Sequence, residues 1–486
     1  MVNTDDSPRI IQGGMGVAIS GWPLARVVSQ AGQLGVVSGT ALELVCARRL
    51  QLGDPGGHVR RALAHFPVPE VVERILSAFY RPGGKPPDAP FRPVPRFTLR
   101  PAVALQELTV AANFAEVYLA REGHRGRVGI NYLRKIELPL PYACYGAMLA
   151  GVDHILVGAG SPAEVPALLD RLARHEPVAL PVRVQGTTSA DGDFSVAFDP
   201  RALFGDGLKE LRRPRFDAIV ASVDLAQALA GDPATRPDGF VVEGHPAGGH
   251  NAPPRGPRRL DDSGQPVYDG RDVVAPHALA GLGVPFWMAG GYGTPQGLRR
   301  AIAAGAQGVQ AGTIFALCRE SGMAEACKRR LLAQAATGQV RVRTDGRASP
   351  TGFPFKVAEL AGTLSDEQVY DHRPRICDLG VLRCAYRKPD GSIGYRCPAE
   401  PVATYVDRRG GRVDNTTGRR CLCNALLATA GLPQQRPAGY TEPPIVTTGT
   451  DFTGVRDLLS RAGDGETYTA HDAIAYLLGQ DPVAAP

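Results

Sequence analysis

The residues best placed to do chemistry are one histidine and a set of glycines. His250 closes the run Glu243-Gly244-His245-Pro246-Ala247-Gly248-Gly249-His250-Asn251. An imidazole changes charge near neutral pH, which suits it to taking or giving a proton. Gly248 and Gly249 carry no Cβ, so a flat ring can lie against their backbone. His245 is a second, weaker imidazole candidate. Glycines recur in Met288-Ala289-Gly290-Gly291-Tyr292-Gly293-Thr294-Pro295 and in Gly308-Val309-Gln310-Ala311-Gly312-Thr313. Each run is a strand end followed by a small-residue turn. Backbone amides at such turns approach a phosphate closely, a threonine hydroxyl adds a donor, and a helix N-terminus favours an anion. Gly290, Gly291, Gly312 and Thr313 therefore read as a phosphate cradle. Two further turns, Gln12-Gly13-Gly14-Met15-Gly16 and Gly129-Ile130-Asn131, add small residues and one amide, Asn131, that can meet the polar edge of a heterocycle.

These turns need elements to hold them on one rim. Short apolar runs alternate with helical stretches, and strands are expected at 9–12, 35–38, 127–131, 154–157, 218–222, 239–243, 285–289 and 308–311. Runs such as Phe240-Val241-Val242 are apolar without alternation, as in parallel strands buried on both faces. Helices are expected at 22–31, 105–120, 162–174, 225–230 and 295–304. Ser161 before Pro162 and Thr294 before Pro295 fit an N-cap followed by Pro at the first helical position. Strand–helix alternation repeated in this way predicts an α/β fold, a (β/α)8 TIM barrel. Periodicity alone leaves a doubly wound sheet open; the glycine-rich strand ends favour the barrel, whose last two loops are its usual phosphate site.

The barrel is expected over 1–340, with insertions at about 54–100, 182–198 and 252–272. Residues 182–198 read as a hairpin turning at Asp191-Gly192. The polar loop 252–272 follows His250 directly and reads as a lid. Residues 341–486 lose the alternation, become dense in Cys, Arg, Pro and Gly, and read as a C-terminal extension packed on the barrel.

Taken in order, Ile10-Ile11-Gln12-Gly13-Gly14-Met15, Gly129-Ile130-Asn131, Ala247-Gly248-Gly249-His250, Ala289-Gly290-Gly291 and Gln310-Ala311-Gly312-Thr313 resemble the nitronate monooxygenase family, also called 2-nitropropane dioxygenase-like, and the related FMN-dependent enoyl reductases. The resemblance runs over roughly residues 8–320 and implies a barrel with non-covalent FMN. It implies that Gly290, Gly291, Gly312 and Thr313 hold the flavin phosphate, and that Gly14, Met15, Asn131, Gly248, Gly249 and Gln310 contact the rest of the cofactor. It makes His250 the catalytic residue that takes the substrate α-proton. The implied activity is oxidation of a nitronate or similar carbanion-forming small molecule with O2. The alternative is NAD(P)H-dependent reduction of an enoyl thioester. Two departures from the family pattern stand out. Pro246 occupies a position where members usually carry Glu, and strand five reads Val220-Ala221-Ser222-Val223 where the monooxygenases often have a lysine. The second departure is closer to the reductase branch.

Composition bounds the partners. The chain has 486 residues, 44% hydrophobic, with 58 Gly, 42 Pro and a net charge of +6. A modest, dispersed charge argues for solvated faces rather than a nucleic-acid surface, leaving a small-molecule substrate as the expected partner. No apolar run is long enough for a membrane span. The polar, acidic start lacks the pattern of a secretory signal, so a cytoplasmic protein with reduced thiols is expected. Of nine cysteines, Cys377, Cys384, Cys397, Cys421 and Cys423 cluster in the extension. Cys377, Cys397, Cys421 and Cys423 form the best candidate set for zinc or an iron–sulfur cluster, although their spacing matches no compact ligand pattern; buried free thiols are the alternative.

Overall fold

The computed structural model describes residues 7–257, 259–462 and 466–480. The reading of the extreme N-terminus therefore falls largely outside the described residues, as do residue 258 of the 252–272 loop and parts of the extension.

Eight parallel strands close into a barrel: β1 (Ile10–Gln12), β2 (Leu34–Ser38), β3 (Val128–Leu133), β4 (His154–Gly158), β5 (Arg215–Val220), β6 (Gly239–Glu243), β7 (Phe286–Ala289) and β8 (Gly308–Ala311). Each strand pairs with its sequence neighbour in the barrel, and β8 closes on β1 with Ile10 opposite Val309 and Gln12 opposite Ala311. All eight lie where the apolar runs put them; β5 starts and ends a little earlier than expected. Side chains fill the interior: Ile11, Leu34, Val36, Leu156, Val241, Trp287 and Ala289 form one buried cluster. Each such branched or aromatic side chain contributes roughly 1.5–3 kcal/mol on burial. The Trp287 indole N–H donates to the Pro8 carbonyl at 2.7 Å, and His154 and Asp217 pair at 2.7 Å. Pro8 precedes β1 and His154 opens β4, so both contacts lie toward the N-terminal end of the barrel, away from the C-terminal rim that holds the site.

Outer helices follow the strands. Thr294 caps the helix Pro295–Ala303 by accepting from the Gly297 amide at 3.0 Å, as its position before Pro295 predicts. The helix after β4 differs from expectation. It runs Val165–Ala173 with Glu164 at its N-cap, and Pro166 takes the first-turn proline position. Ala159 and Gly160 both have positive φ, so the chain turns sharply after β4 and needs Ser161 and Pro162 to reach the outer layer.

The 182–198 segment is also corrected. The antiparallel arms are Val178–Pro181 and Ser195–Phe198, while Val184–Gln185 leaves the hairpin to pair in parallel with Cys384–Arg387 of the extension. That strand in turn pairs with Ile393–Arg396. The proline- and glycine-rich excursion after the helix Pro69–Phe79 is extended. It is held by extension side chains: the Phe91 amide donates to Gln434 and the Leu99 amide to the Tyr395 hydroxyl.

Extension helices Leu422–Thr429, Thr453–Arg461 and Ala470–Leu478 complete the molecule. Phe452, Val455, Leu458, Tyr468, Ile474 and Leu477 share a buried cluster with Ile10, Leu24, Ile314 and Phe315 of the barrel. Thr469 and Asp472 make a reciprocal capping box at the start of the last helix. Among the described residues no helix is long and apolar enough to cross a membrane.

Candidate active site

The rim turns expected to act together do meet. Gly14, Met15, Gly248, Gly249, Gly290, Gly291, Gln310, Gly312 and Thr313 line one cavity of about 910 Å³. Asn131 and His250 line an adjoining chamber of about 1630 Å³, and Gly14, Gly248, Gly249 and Gln310 belong to both spaces. The result is a continuous trough from the β7–β8 turns across the barrel mouth to His250.

Glycine is required along this trough for two reasons. Gly290 has φ +86°, and a Cβ there would stand 2.7 Å from the Gly244 carbonyl oxygen. At Gly14 the obstacle is a side chain, since a Cβ would meet that of Asn131 at 2.4 Å. The Asn131 amide donates to the Tyr132 carbonyl at 2.9 Å, which fixes its orientation beside Gly14. Gln310 presents a buried side-chain oxygen with no hydrogen-bond partner among the described residues. A buried acceptor without a partner is costly. An orphaned amide, a path lined by glycines and a Thr313 hydroxyl at one end suit a flat, polar-edged molecule with an anionic terminus. By that test these residues fit FMN.

His250 is anchored from the extension. Its Nε2 lies 2.7 Å from Ser349 Oγ, and its ring meets Phe355 edge-on at 4.8 Å. Ser349 Oγ in turn lies 2.8 Å from Thr351 Oγ1. If the serine hydroxyl donates to Thr351, it accepts from His250 Nε2–H, and Nδ1 carries the basic lone pair. Burial, reinforced by Lys135, holds the His250 pKa well below the ordinary 6.5.

Sequence reasoning missed two residues here. Lys135, just beyond β3, has a buried ammonium over the Phe353 ring and no hydrogen-bond partner among the described residues. Glu243, at the end of β6, lines both spaces. Burial pushes Glu243 up to about 7 and Lys135 down to about 7, each opposed by the other's charge. The available signals were the run Asn131-Tyr132-Leu133-Arg134-Lys135 after a strand and an acidic residue at a strand end; neither carries a pattern. A lysine thus reaches this site from the β3 loop, whereas the end of β5 and the residue after it supply Ile219, Val220 and Ala221 to the chamber.

The extension roofs the chamber with Phe353, Phe355, Val381, Leu382, Leu422 and Leu426. A second open space of about 1770 Å³ leads away past Ile136 and Phe353 and is bordered by Arg134, Lys135, Arg183 and Arg383. His245 stands apart. It stacks on Tyr268 at 4.7 Å beside a small side cavity, outside the chamber. The 252–272 loop is clasped to the extension where the Thr344 amide donates to Gln265 at 2.7 Å.

Cys377, Cys397, Cys421 and Cys423 gather around a small enclosed cavity of about 270 Å³ behind the chamber roof, while the Cys384 thiol donates to the Arg396 carbonyl. Among the described residues no group of three or more Cys, His, Asp or Glu is arranged to hold a metal. The four cysteines of the candidate zinc or iron–sulfur set are free thiols in this structure. A Cys397–Cys377 hydrogen bond lowers the Cys377 pKa and raises that of Cys397. Burial holds Cys421 and Cys423 protonated.

Residues 216–350 match the family model for nitronate monooxygenase. Over 129 residues, 26% of this chain, the sequence is 33% identical to a (3aS,4S,5R,7aS)-5-hydroxy-7a-methyl-1-oxo-octahydro-1H-indene-4-carboxyl-CoA dehydrogenase of Mycobacterium tuberculosis, covering 33% of that protein. Over 127 residues, also 26% of this chain, it is 32% identical to a probable nitronate monooxygenase of Bacillus subtilis, covering 35% of that protein. The alignments thus span about a third of each relative. Among solved structures, a nitroalkane oxidase from Streptomyces ansochromogenes aligns over 98% of this chain and 96% of its own at 16% identity, with a TM-score of 0.45. The matched segment holds β6 to β8, His250 and the glycine turns after β7 and β8, and over residues 216–350 the chain is similar to the nitronate monooxygenase family of oxidoreductases.

Proposed function

We propose that the protein is an FMN-dependent oxidoreductase in which neutral His250 takes the α-proton of a carbon acid such as a nitroalkane, with O2 as the final electron acceptor. The observation that carries this reading is the single trough joining the Gly290–Gly312 cradle to His250. FMN, when bound, supplies the redox chemistry. Gly290, Gly291, Gly312 and Thr313 would hold its phosphate, and Gly14, Met15, Asn131, Gly248, Gly249 and Gln310 the remainder. His250, donating through Nε2 to Ser349, receives the substrate proton at Nδ1. Burial, reinforced by Lys135, keeps His250 from being protonated beforehand, and the Lys135 ammonium favours the anion that forms as the proton leaves. The apolar roof excludes water, which strengthens both effects.

A second reading, NAD(P)H-dependent reduction of an enoyl thioester, draws support from the chamber. Past Ile136 and Phe353 it adjoins a space bordered by Arg134, Lys135, Arg183 and Arg383, cations that suit a longer, anionic substrate better than a small nitroalkane. The visible spectrum of the purified protein, followed by anaerobic addition of nitroalkane or NAD(P)H, tests both. Bleaching of the flavin band by nitroalkane supports the first reading. Bleaching by NAD(P)H alone overturns it in favour of the second, and absence of flavin before and after FMN addition overturns both.

A further inference from the structure

The segment 446–451, far along the extension, crosses the barrel mouth beside the β7 and β8 turns. It is pinned at several points. The Gly249 amide donates to Thr447 Oγ1 at 2.8 Å, the Gly449 amide to Thr313 Oγ1 at 2.9 Å, and the Thr450 amide to the Pro246 carbonyl at 3.0 Å. The approach is close enough to demand glycine on both sides. A Cβ on Gly248 would lie 2.8 Å from the Thr448 carbonyl carbon, and one on Gly449 2.8 Å from the Pro246 oxygen.

Held between these pins is Thr448. The residue is 3% exposed, it lines the 910 Å³ cavity, and its hydroxyl has no hydrogen-bond partner among the described residues. A buried hydroxyl without a partner destabilises a fold unless a ligand satisfies it. The neighbouring contact sharpens the case. Thr313 Oγ1 already accepts from the Gly449 amide, so its own hydrogen is left to donate into the cavity. Asp451 also lines this space, with Oδ1 accepting from the Thr453 amide at 2.9 Å.

We infer that Thr448 is a ligand of the flavin phosphate, and that the extension completes the cofactor cradle through the 446–451 segment. The inference rests on the FMN reading above. Thr448 and Thr313 present two hydroxyl donors to one anion, one from the extension and one from β8.

The test is a fluorescence titration of full-length apoprotein with FMN and, separately, with riboflavin, which lacks the phosphate. Thr448→Val keeps the shape and removes the hydroxyl; Thr448→Ser keeps the hydroxyl. Thr448→Val is expected to weaken FMN binding about tenfold to 150-fold and leave riboflavin binding unchanged, since one hydrogen bond to a charged group is lost. Thr448→Ser should bind both flavins as wild type does. Because the hydroxyl has no partner in the unliganded chain, Thr448→Val should melt at or above the wild-type temperature before flavin is added. Unchanged FMN affinity in Thr448→Val, or equal weakening of FMN and riboflavin, overturns the inference and leaves the FMN reading standing. Wild-type protein that binds neither flavin overturns both.

Discussion

Ser349→Ala isolates the role of the extension in positioning the base. Ser349 is fully buried, and among the described residues its hydroxyl has hydrogen-bond partners in the His250 ring, the Thr351 hydroxyl and the Thr351 amide. Its removal deletes the 2.7 Å contact to Nε2 through which, on the proposed reading, Ser349 sets the His250 tautomer. A neutral hydrogen bond of this kind is worth about 1–1.5 kcal/mol net, which corresponds to a rate loss of about fivefold to tenfold if it acts only on proton transfer. The assay is anaerobic flavin reduction followed in a stopped-flow instrument, with a neutral nitroalkane and with the same compound supplied as its preformed nitronate. Only the neutral compound must give up a proton on the enzyme. The expected result is a slower reduction by nitroalkane, an unchanged reduction by nitronate and an unchanged FMN affinity. Equal slowing with both compounds, or none with the nitroalkane, would refute the assignment of Ser349 as the residue that sets the basic nitrogen of His250.

Other expectations follow from the same contacts. Lys135→Met removes the cation that helps depress His250, so the acid limb of the kcat profile should move up toward 6.5. In the wild type a depressed His250 means that the unfolded chain binds its proton first, so the melting temperature should fall as pH drops below 6.5. Gly290→Ala forces a left-handed conformation worth about 1–2 kcal/mol against a non-glycine residue. It also places Cβ 2.7 Å from a carbonyl, so purified protein should carry little flavin and melt lower. Glu442→Gln strips the charge from a carboxylate that is buried between Arg373 and Arg436. Breaking one partner of such a group costs about 3–5 kcal/mol, and the denaturation midpoint should fall accordingly.

The barrel was legible because its strands are short, apolar and regularly spaced, and because each ends in residues chosen by a backbone constraint. Gly290 is an example: φ +86° and a carbonyl at contact distance admit no side chain. The long-range partners were not legible. Ser349, Phe353 and Thr448 are ordinary residues in irregular segments, and their importance comes from what they touch across large sequence separations. Lys135 was hidden for a related reason, since a lysine after a strand is usually solvated and only the roof from the extension buries it. The cysteines mark the opposite limit. Cys377, Cys397, Cys421 and Cys423 border one small cavity, and their irregular spacing along the chain does not say what they do there.

The pins that fix the mouth of the barrel join residues far apart along the chain, 198 positions from Gly249 to Thr447 and 136 from Thr313 to Gly449. Thr447, Gly449 and Thr450 are synthesised well after Ala311 ends the last barrel strand, so these pins can form only when most of the chain has been made. A nascent chain emerging from the ribosome would therefore shape its central cylinder well before its mouth was finished. Flavin uptake would then mark the last stage of maturation, and a truncated translation product would be left with an unsealed, solvent-flooded pocket.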